Sequence, residues 1–250
     1  MRLTEDVYLV GGGPSVGFGL SGDIDCHVYC IDGGSELALV DCGMALGSSL
    51  DEILANVRED GLDPGKIRTL CLTHYHADHA FGAAAFRQRL GLAVAISHEG
   101  AEALRTGDEY WTGFGLAKSV SFYPPELTFP ACPVDRALRD GDEVRVGELA
   151  LTMYETPGHC NGHACYLLQG RRKRYLFTGD CVFFGGEILL QNIPDCSIQR
   201  YAASVAKLAP LEYDAFLPGH MALSLRDGTR HVRAAQAAFE KLLPPKQMLV

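Results

Sequence analysis

Between Thr73 and Gly82 the chain reads THYHADHAFG, and four of these side chains, His74, His76, Asp78 and His79, are strong metal donors. In an irregular turn, alternate side chains converge while an adjacent pair faces elsewhere. The spacing can therefore supply two donors to one ion and two to a neighbouring one. Imidazole and carboxylate suit zinc, iron or manganese. Three other turns carry donors of the same kind: TPGH ends in His159, LFTGDC holds Asp180, and FLPGH ends in His220. Each reads as the exit of a strand, with a glycine beside the donor that lets the backbone bend close. Asp41, in LVDCG, closes another strand. Functional residues of layered α/β folds collect at such strand ends.

The intervening sequence supplies the elements that must position these turns. VYLV, HVYCID and LALVDCG read as strands, the last two split by the turn at Asp32-Gly33-Gly34. SSLDEILANVRED places Leu50, Ile53, Leu54 and Val57 on one helical face, with Ser48 or Ser49 as cap and Gly61 past the end. IRTLCLTH is a buried strand running into the histidine turn, and FGAAAFRQRL after it is helical. LAVAIS and HEGAEALR repeat the strand-then-helix order. DEVRVG, LALTMYETPGH, ACYLLQG and RYLFTGD are four consecutive strands. SIQRYAASVAKLAPL is a helix, YDAFLPGH a strand, and GTRHVRAAQAAFEKLL the closing helix. The expectation is one α/β domain over residues 1–250, broken by an aromatic, proline-bearing insertion at 106–131 that lacks a clean period. There Tyr110, Trp111, Phe114, Phe122 and Tyr123 either lie over the metals as an apolar substrate lid or pack the insertion itself.

Other features carry less chemistry. Gly17 to Gly22 matches GxGxxG, with Asp41 downstream. That motif must open a helix whose N-terminus holds a pyrophosphate, whereas DIDCHVYCIDGG reads as strand and turn. A hairpin flap is the better reading. His163 reads as a structural hydrogen-bonding residue, His98 as a candidate for the rim of the site, and His27 and His231 as structural or exposed. Cys160 and Cys181 flank donors without replacing them, and the same-face pair Cys26 and Cys30 is more readily buried than ligating.

The net charge of −9 disfavours phosphate backbones, so no nucleic-acid partner is expected. The basic run Arg171 to Arg174 reads as a solvated hairpin tip. The nine cysteines include no CxxC pair and lie largely in strand-like runs. With no secretory signal and no stretch of transmembrane length, they read as reduced thiols of a cytoplasmic protein without a membrane partner.

HxHxDH at His74 to His79, followed in order by His159, Asp180 and His220, resembles the metallo-β-lactamase superfamily across essentially the whole chain. The resemblance implies an αββα sandwich with the site at one edge. It implies that His74, His76 and His159 hold a first metal, that Asp78, His79 and His220 hold a second, that Asp180 bridges them, and that Asp41 orients the histidine turn. The cofactors implied are two divalent ions, zinc first, with iron or manganese as alternatives. The chemistry implied is hydrolysis of an ester, thioester or lactone carbonyl of a small-molecule substrate by metal-activated hydroxide, with Asp78 passing the proton to the leaving group.

Among the branches, the motifs look most like glyoxalase II. That enzyme carries a CGKFYEG-like stretch with glutathione contacts after the bridging aspartate; here CVFFGGEILLQN stands there, and little of its later helical region follows His220. A less polar acyl or lactone substrate is therefore expected. Acyl-homoserine-lactone lactonases carry a tyrosine at the position of Phe183, and persulfide dioxygenases use the glyoxalase-like scaffold with a single iron. Those two are the alternative readings. Degenerate binding relatives have lost ligands, whereas all seven positions are filled here.

Overall fold

The computed structural model describes residues 1–15 and 17–248. Its first half builds a six-stranded mixed sheet in the order β1 to β6. β1 (Val7–Gly11), β2 (Val28–Asp32) and β3 (Leu37–Val40) form an antiparallel meander. After α1 (Ser49–Glu59), β4 (Ile67–Cys71) pairs parallel to β3. The short α2 (Ala77–Ala80) and α3 (Ala83–Leu90) lead to β5 (Ala93–Ser97). Then α4 (Ala101–Thr106) and α5 (Phe114–Ser119) precede β6 (Arg136–Leu138), also parallel.

The second half gives a five-stranded sheet ordered β11-β10-β9-β8-β7. β7 (Glu143–Val146), β8 (Leu149–Glu155), β9 (Ala164–Gln169) and β10 (Arg174–Gly179) run antiparallel in turn. α6 (Ile198–Leu208) crosses over to β11 (Ala215–Pro218), which is parallel to β10, and α7 (Thr229–Glu240) follows.

Burial explains the layering. β1 is buried at every position, as a strand covered on both faces must be, and its side chains alternate between two cores. Val7 and Leu9 meet Leu151, Met153, Tyr166 and Phe177 of the second sheet in a central layer. Tyr8 and Val10 join Ile53, Leu70, Phe86 and Leu104 beneath the helices outside the first sheet. Leu176 and Phe216 pack with Val205 and Val232 of α6 and α7 outside the second. This helix–sheet–sheet–helix order is the αββα sandwich expected. β7, by contrast, alternates exposed and buried residues and faces water on one side.

Three local readings are refined. Ile53, Leu54 and Val57 of α1 are buried as the helical period requires, but Leu50 is only partly so. Ser48 occupies the cap position with helical backbone and makes no capping bond; its hydroxyl donates to Glu52 instead, and Ser49 donates to Asp25. The GxGxxG stretch lies in the β1–β2 connection and opens no helix, and Asn56 ties it down by donating to the Val10 and Leu20 carbonyls. Within 106–131, the six-residue α5 is too short to announce itself by period. It buries Phe114, which stacks on Tyr123 at 4.9 Å between ring centroids.

Asp25 anchors the β1–β2 connection. Its buried carboxylate accepts from Ser21 (2.8 Å), from the Met44 amide (2.8 Å) and from Ser49. Asp25→Ala strands these donors and should lower stability by about 2–3 kcal/mol in urea unfolding. A loss below about 0.5 kcal/mol would mean that the connection is held by other contacts.

Candidate metal centre

The C-terminal ends of β3, β4, β8, β10 and β11 open onto one edge of the sandwich, and each delivers a polar side chain there. After β4, His74 and His76 lie on extended backbone that ends where α2 begins, with His76 as its cap residue; Asp78 and His79 fall in the turn of α2. Extended spacing thus aims two histidines one way, and the helical turn aims the next pair another. β8 leads to His159, β10 to Asp180 and β11 to His220.

The side chains converge in groups with donor atoms within 4.8 Å of one another: His74, His76 and His159; His74, His79 and Asp180; and Asp78, His79 and His220; a fourth such group holds Cys26, Asp41 and His79. His76 Nδ1 stands 2.9 Å from His159 Nε2, and His79 Nε2 3.1 Å from His220 Nε2. Asp180 lies between the outer groups. One of its oxygens is 3.3 Å from His79 Nε2, the other 3.5 Å from both His159 Nε2 and His220 Nε2. Such closeness has a backbone requirement: a Cβ on Gly219 would sit 2.5 Å from Asp180 Oδ1 and 2.6 Å from His79 Cε1.

Hydrogen bonds behind the donors set which nitrogen faces inward. Asp41, buried and at a φ of 59° that aspartate tolerates better than most residues, accepts from the Thr73 amide (2.7 Å), the Thr73 hydroxyl (2.8 Å) and His79 Nδ1 (2.9 Å). Having donated its proton, the Thr73 hydroxyl accepts from His74 Nδ1 at 3.0 Å. Both histidines therefore turn Nε2 inward, the atom that can offer a lone pair to a cation. His159 Nδ1 donates to the Leu189 carbonyl at 3.4 Å, leaving its Nε2 inward as well. His163 donates from Nδ1 to Thr156 and accepts the Asp180 amide on Nε2 at 3.0 Å, so it positions the shared carboxylate.

These donors fit divalent cations. His74 Nε2 and Asp180 Oδ1 are buried without any protein partner, and such atoms are costly to leave unpaired. Burial holds His76 and His159 down to about 4 and His74 well below its usual range, so the first trio is neutral and free to ligate. In the second group, burial opposes charge on His220, but Asp180 and Asp78 outweigh it and push the ring up to about 9. His79 is raised likewise against burial, by Cys26 and then by Asp180, Asp78 and Asp41. Burial would raise Asp78, yet His79 and His220 hold it at about 2. Protons here stand where a cation would balance the carboxylates.

A cavity of about 450 Å³ opens over the centre, lined by His76, Asp78, His159, Asp180 and His220 on its polar side. Asp78, with 26% of its side chain exposed, is the most open carboxylate of the group. Phe114, Phe122 and Tyr123 of the 106–131 segment line the cavity. Tyr110 lines an adjoining depression that shares Gly113, Leu116 and Ile193 with it, while Trp111 lines neither and packs edge-on to Tyr110. The aromatic segment thus divides between wall and outer surface.

His98 is exposed and lines neither cavity. His27 is buried against the Pro218 carbonyl, and His231 is buried between Ser224 and the Gly185 amide. Cys160 and Cys181 are buried without entering the donor groups. Sequence reading missed Thr73 as the relay between Asp41 and His74; its place directly before the first histidine was the only signal. It also missed Tyr201, whose hydroxyl lies 3.0 Å from the Asp180 and Leu189 carbonyls, and Ile24 and Met248 in the cavity wall.

Comparison with known proteins agrees with this geometry. The family model of the metallo-beta-lactamase superfamily matches residues 21–220. The chain is 29% identical over 210 residues to the human acyl-coenzyme A thioesterase MBLAC2, covering 78% of this chain and 72% of that protein. It is 30% identical over 155 residues to a hydroxyacylglutathione hydrolase of Methylobacterium nodulans, covering 60% of this chain and 48% of that one. Among solved structures, BJP-1, a subclass B3 metallo-beta-lactamase of Bradyrhizobium japonicum, superposes with a TM-score of 0.72 at 25% identity, covering 97% and 91% of the two chains. FEZ-1 of Legionella gormanii shares the fold with a TM-score of 0.73 at 20% identity, covering 96% and 94%.

The two donor groups should respond differently to pH. A cation entering the second group must displace the proton held by His220, so its affinity should fall about tenfold per pH unit as pH drops below about 9, and the raised His79 can only steepen that fall. The first trio loses its protons near 4 and should bind with little pH dependence between about pH 6 and pH 9. Competitive chelator titrations across that range measure both slopes. Equal slopes would contradict the assignment of protons to the second group.

Proposed function

We propose, since the chain belongs to the metallo-β-lactamase superfamily of metallo-hydrolases, that it is a binuclear hydrolase of thioester, ester or lactone carbonyls. The observation that carries this reading is the position of Asp180, one carboxylate within 3.5 Å of nitrogens from both donor groups. His74, His76 and His159 would hold one ion, and Asp78, His79 and His220 the other. Zinc is the first choice for a nitrogen-rich set, with iron and manganese accepted by the same donors. Bound there, two divalent ions would activate water at neutral pH and polarise the substrate carbonyl.

The remaining work falls to this chain's residues. Asp41 and Thr73 keep the histidine lone pairs aimed inward, so the site is organised before substrate arrives. Asp78 faces the cavity as an ionised carboxylate and is placed to take a proton and pass it to the leaving group. Phe114, Phe122 and Tyr123 act as an apolar cover that excludes water. The similarity to acyl-coenzyme A thioesterases and hydroxyacylglutathione hydrolases supports a thioester first. Phe183 brings no hydroxyl to the position that lactonases fill with tyrosine; its ring lies 6.3 Å from that of His220. A single-iron oxidative role would leave the second donor group without purpose. All nine thiols are free, which supports a cytoplasmic setting, and among the described residues no helix is long and apolar enough to cross a membrane.

Elemental analysis of metal-loaded, desalted protein should approach two equivalents per chain, and a firm ceiling of one would remove the binuclear reading. Asp180→Ala should lower metal content and cut kcat/KM by at least about a hundredfold. Near-normal turnover in that variant would remove Asp180 from the bridging role.

A second prediction concerns the substrate. Among the described residues the cavity lining contains no lysine or arginine to pair with the carboxylates of a glutathione tripeptide. S-lactoylglutathione should therefore be hydrolysed less efficiently than an apolar thioester on the same preparation. Preference for the glutathione thioester by about tenfold or more, roughly 1.4 kcal/mol in the transition state, would make this a short glyoxalase II instead.

A further inference from the structure

The strand-like tail after α7 turns back to the centre. Residues 246–248 lie beside 188–190: the Ile188 amide donates to Lys246 (3.0 Å), the Met248 amide to Ile188 (2.8 Å), and the Leu190 amide to the Gln247 side chain (3.0 Å). Lys246 adds an ion pair with Glu187. This strap fixes the segment whose Leu189 carbonyl orients His159. It also carries Met248, only 5% exposed, into the wall of the 450 Å³ cavity beside Leu189 and Ile193.

The apolar part of that wall is drawn from stretches far apart in sequence, among them the aromatic segment with Phe114, Phe122 and Tyr123, the stretch with Leu189 and Ile193, and the strap with Met248. Among the described residues no lysine or arginine lines the cavity, and Lys118 of α5 is already engaged by Glu109 and the Leu127 carbonyl. An uncharged, flexible apolar group fits such walls, which hold no lysine or arginine among the described residues to pair with a charge on it.

We propose that the cavity receives the straight-chain aliphatic acyl group of the substrate, and that Met248 on the C-terminal strap sets how long that chain can be. This rests on the hydrolase reading above and deepens it. Methionine is unbranched and adaptable, so it closes a pocket around chains of differing shape without a rigid stop. Removing it leaves space beside the chain, and a larger ring takes space away.

The test uses the full chain, metal-loaded, with acyl thioesters of N-acetylcysteamine, a neutral thiol, from about four to about fourteen carbons. Within the range the cavity accepts, each added methylene should raise kcat/KM by up to about fourfold. Met248→Ala should move the optimum to longer chains by about two methylenes, changing the long-to-short ratio by about tenfold; Met248→Trp should move it the opposite way. Thermal melting and metal content of both variants separate misfolding from selectivity.

Calorimetric titration with 1-decanol and 1-butanol supplies a reading independent of turnover. Met248→Trp should weaken decanol more than butanol. If thioesters are cleaved but the profile stays put in both variants, or all lengths lose the same factor, the strap has no part in selectivity and the proposal falls. If no acyl substrate is cleaved, the hydrolase reading fails. The alcohol affinities then decide the pocket alone, and unchanged affinities in both variants overturn it.

Discussion

Three hydrogen bonds to one carboxylate organise this molecule's working edge. Asp41 ends β3, accepts two of them from Thr73 at the end of β4, and takes the third from His79 in α2. A neutral imidazole has one donor and one acceptor nitrogen, so fixing the donor side decides where the acceptor points. Asp41 fixes His79 directly and His74 through the Thr73 hydroxyl. The left-handed backbone at Asp41 is the local cost of turning its side chain under the histidine turn. A buried carboxylate with three donors is fully satisfied, and the strain is retained for that reason.

From that point both sheets contribute. His74 and His76 leave the first sheet while His159 leaves the second; Asp78 and His79 leave the first while His220 leaves the second. Asp180 stands between them, its amide held by His163 from the start of β9 and its side chain against Gly219, where a larger residue would collide. The apolar layer between the sheets sets their separation, and donor placement at the edge follows from that packing.

The clustering of the candidate donors was legible in the sequence because most combine a ligand type with a strand exit and three have a neighbouring glycine. The sandwich was legible because its strands read as apolar runs and its outer helices carry one apolar face. What supports the donors was not. Thr73 acts through a proton relay that only three-dimensional neighbours define, the Leu189 group that orients His159 is a backbone carbonyl, and Met248 arrives from 68 positions beyond Asp180. The aromatic segment resisted for another reason. Composition says that Trp111 and Phe114 are both apolar, but only the short helix α5 turns Phe114 inward and leaves Trp111 on the surface.

Because each donor group draws on both sheets, the edge has two characters. Without a cation it is a place where buried lone pairs face one another across the sandwich and protons must substitute for positive charge. With one, the same atoms become further cross-links between halves of the chain already joined by apolar packing and by hydrogen bonds such as Tyr166 to the Leu72 carbonyl. A ligand that binds only the folded chain stabilises it by mass action. The supply of metal in the protein's surroundings would then set how long each molecule escapes unfolding and proteolysis, so scarcity would thin the population as well as silence it.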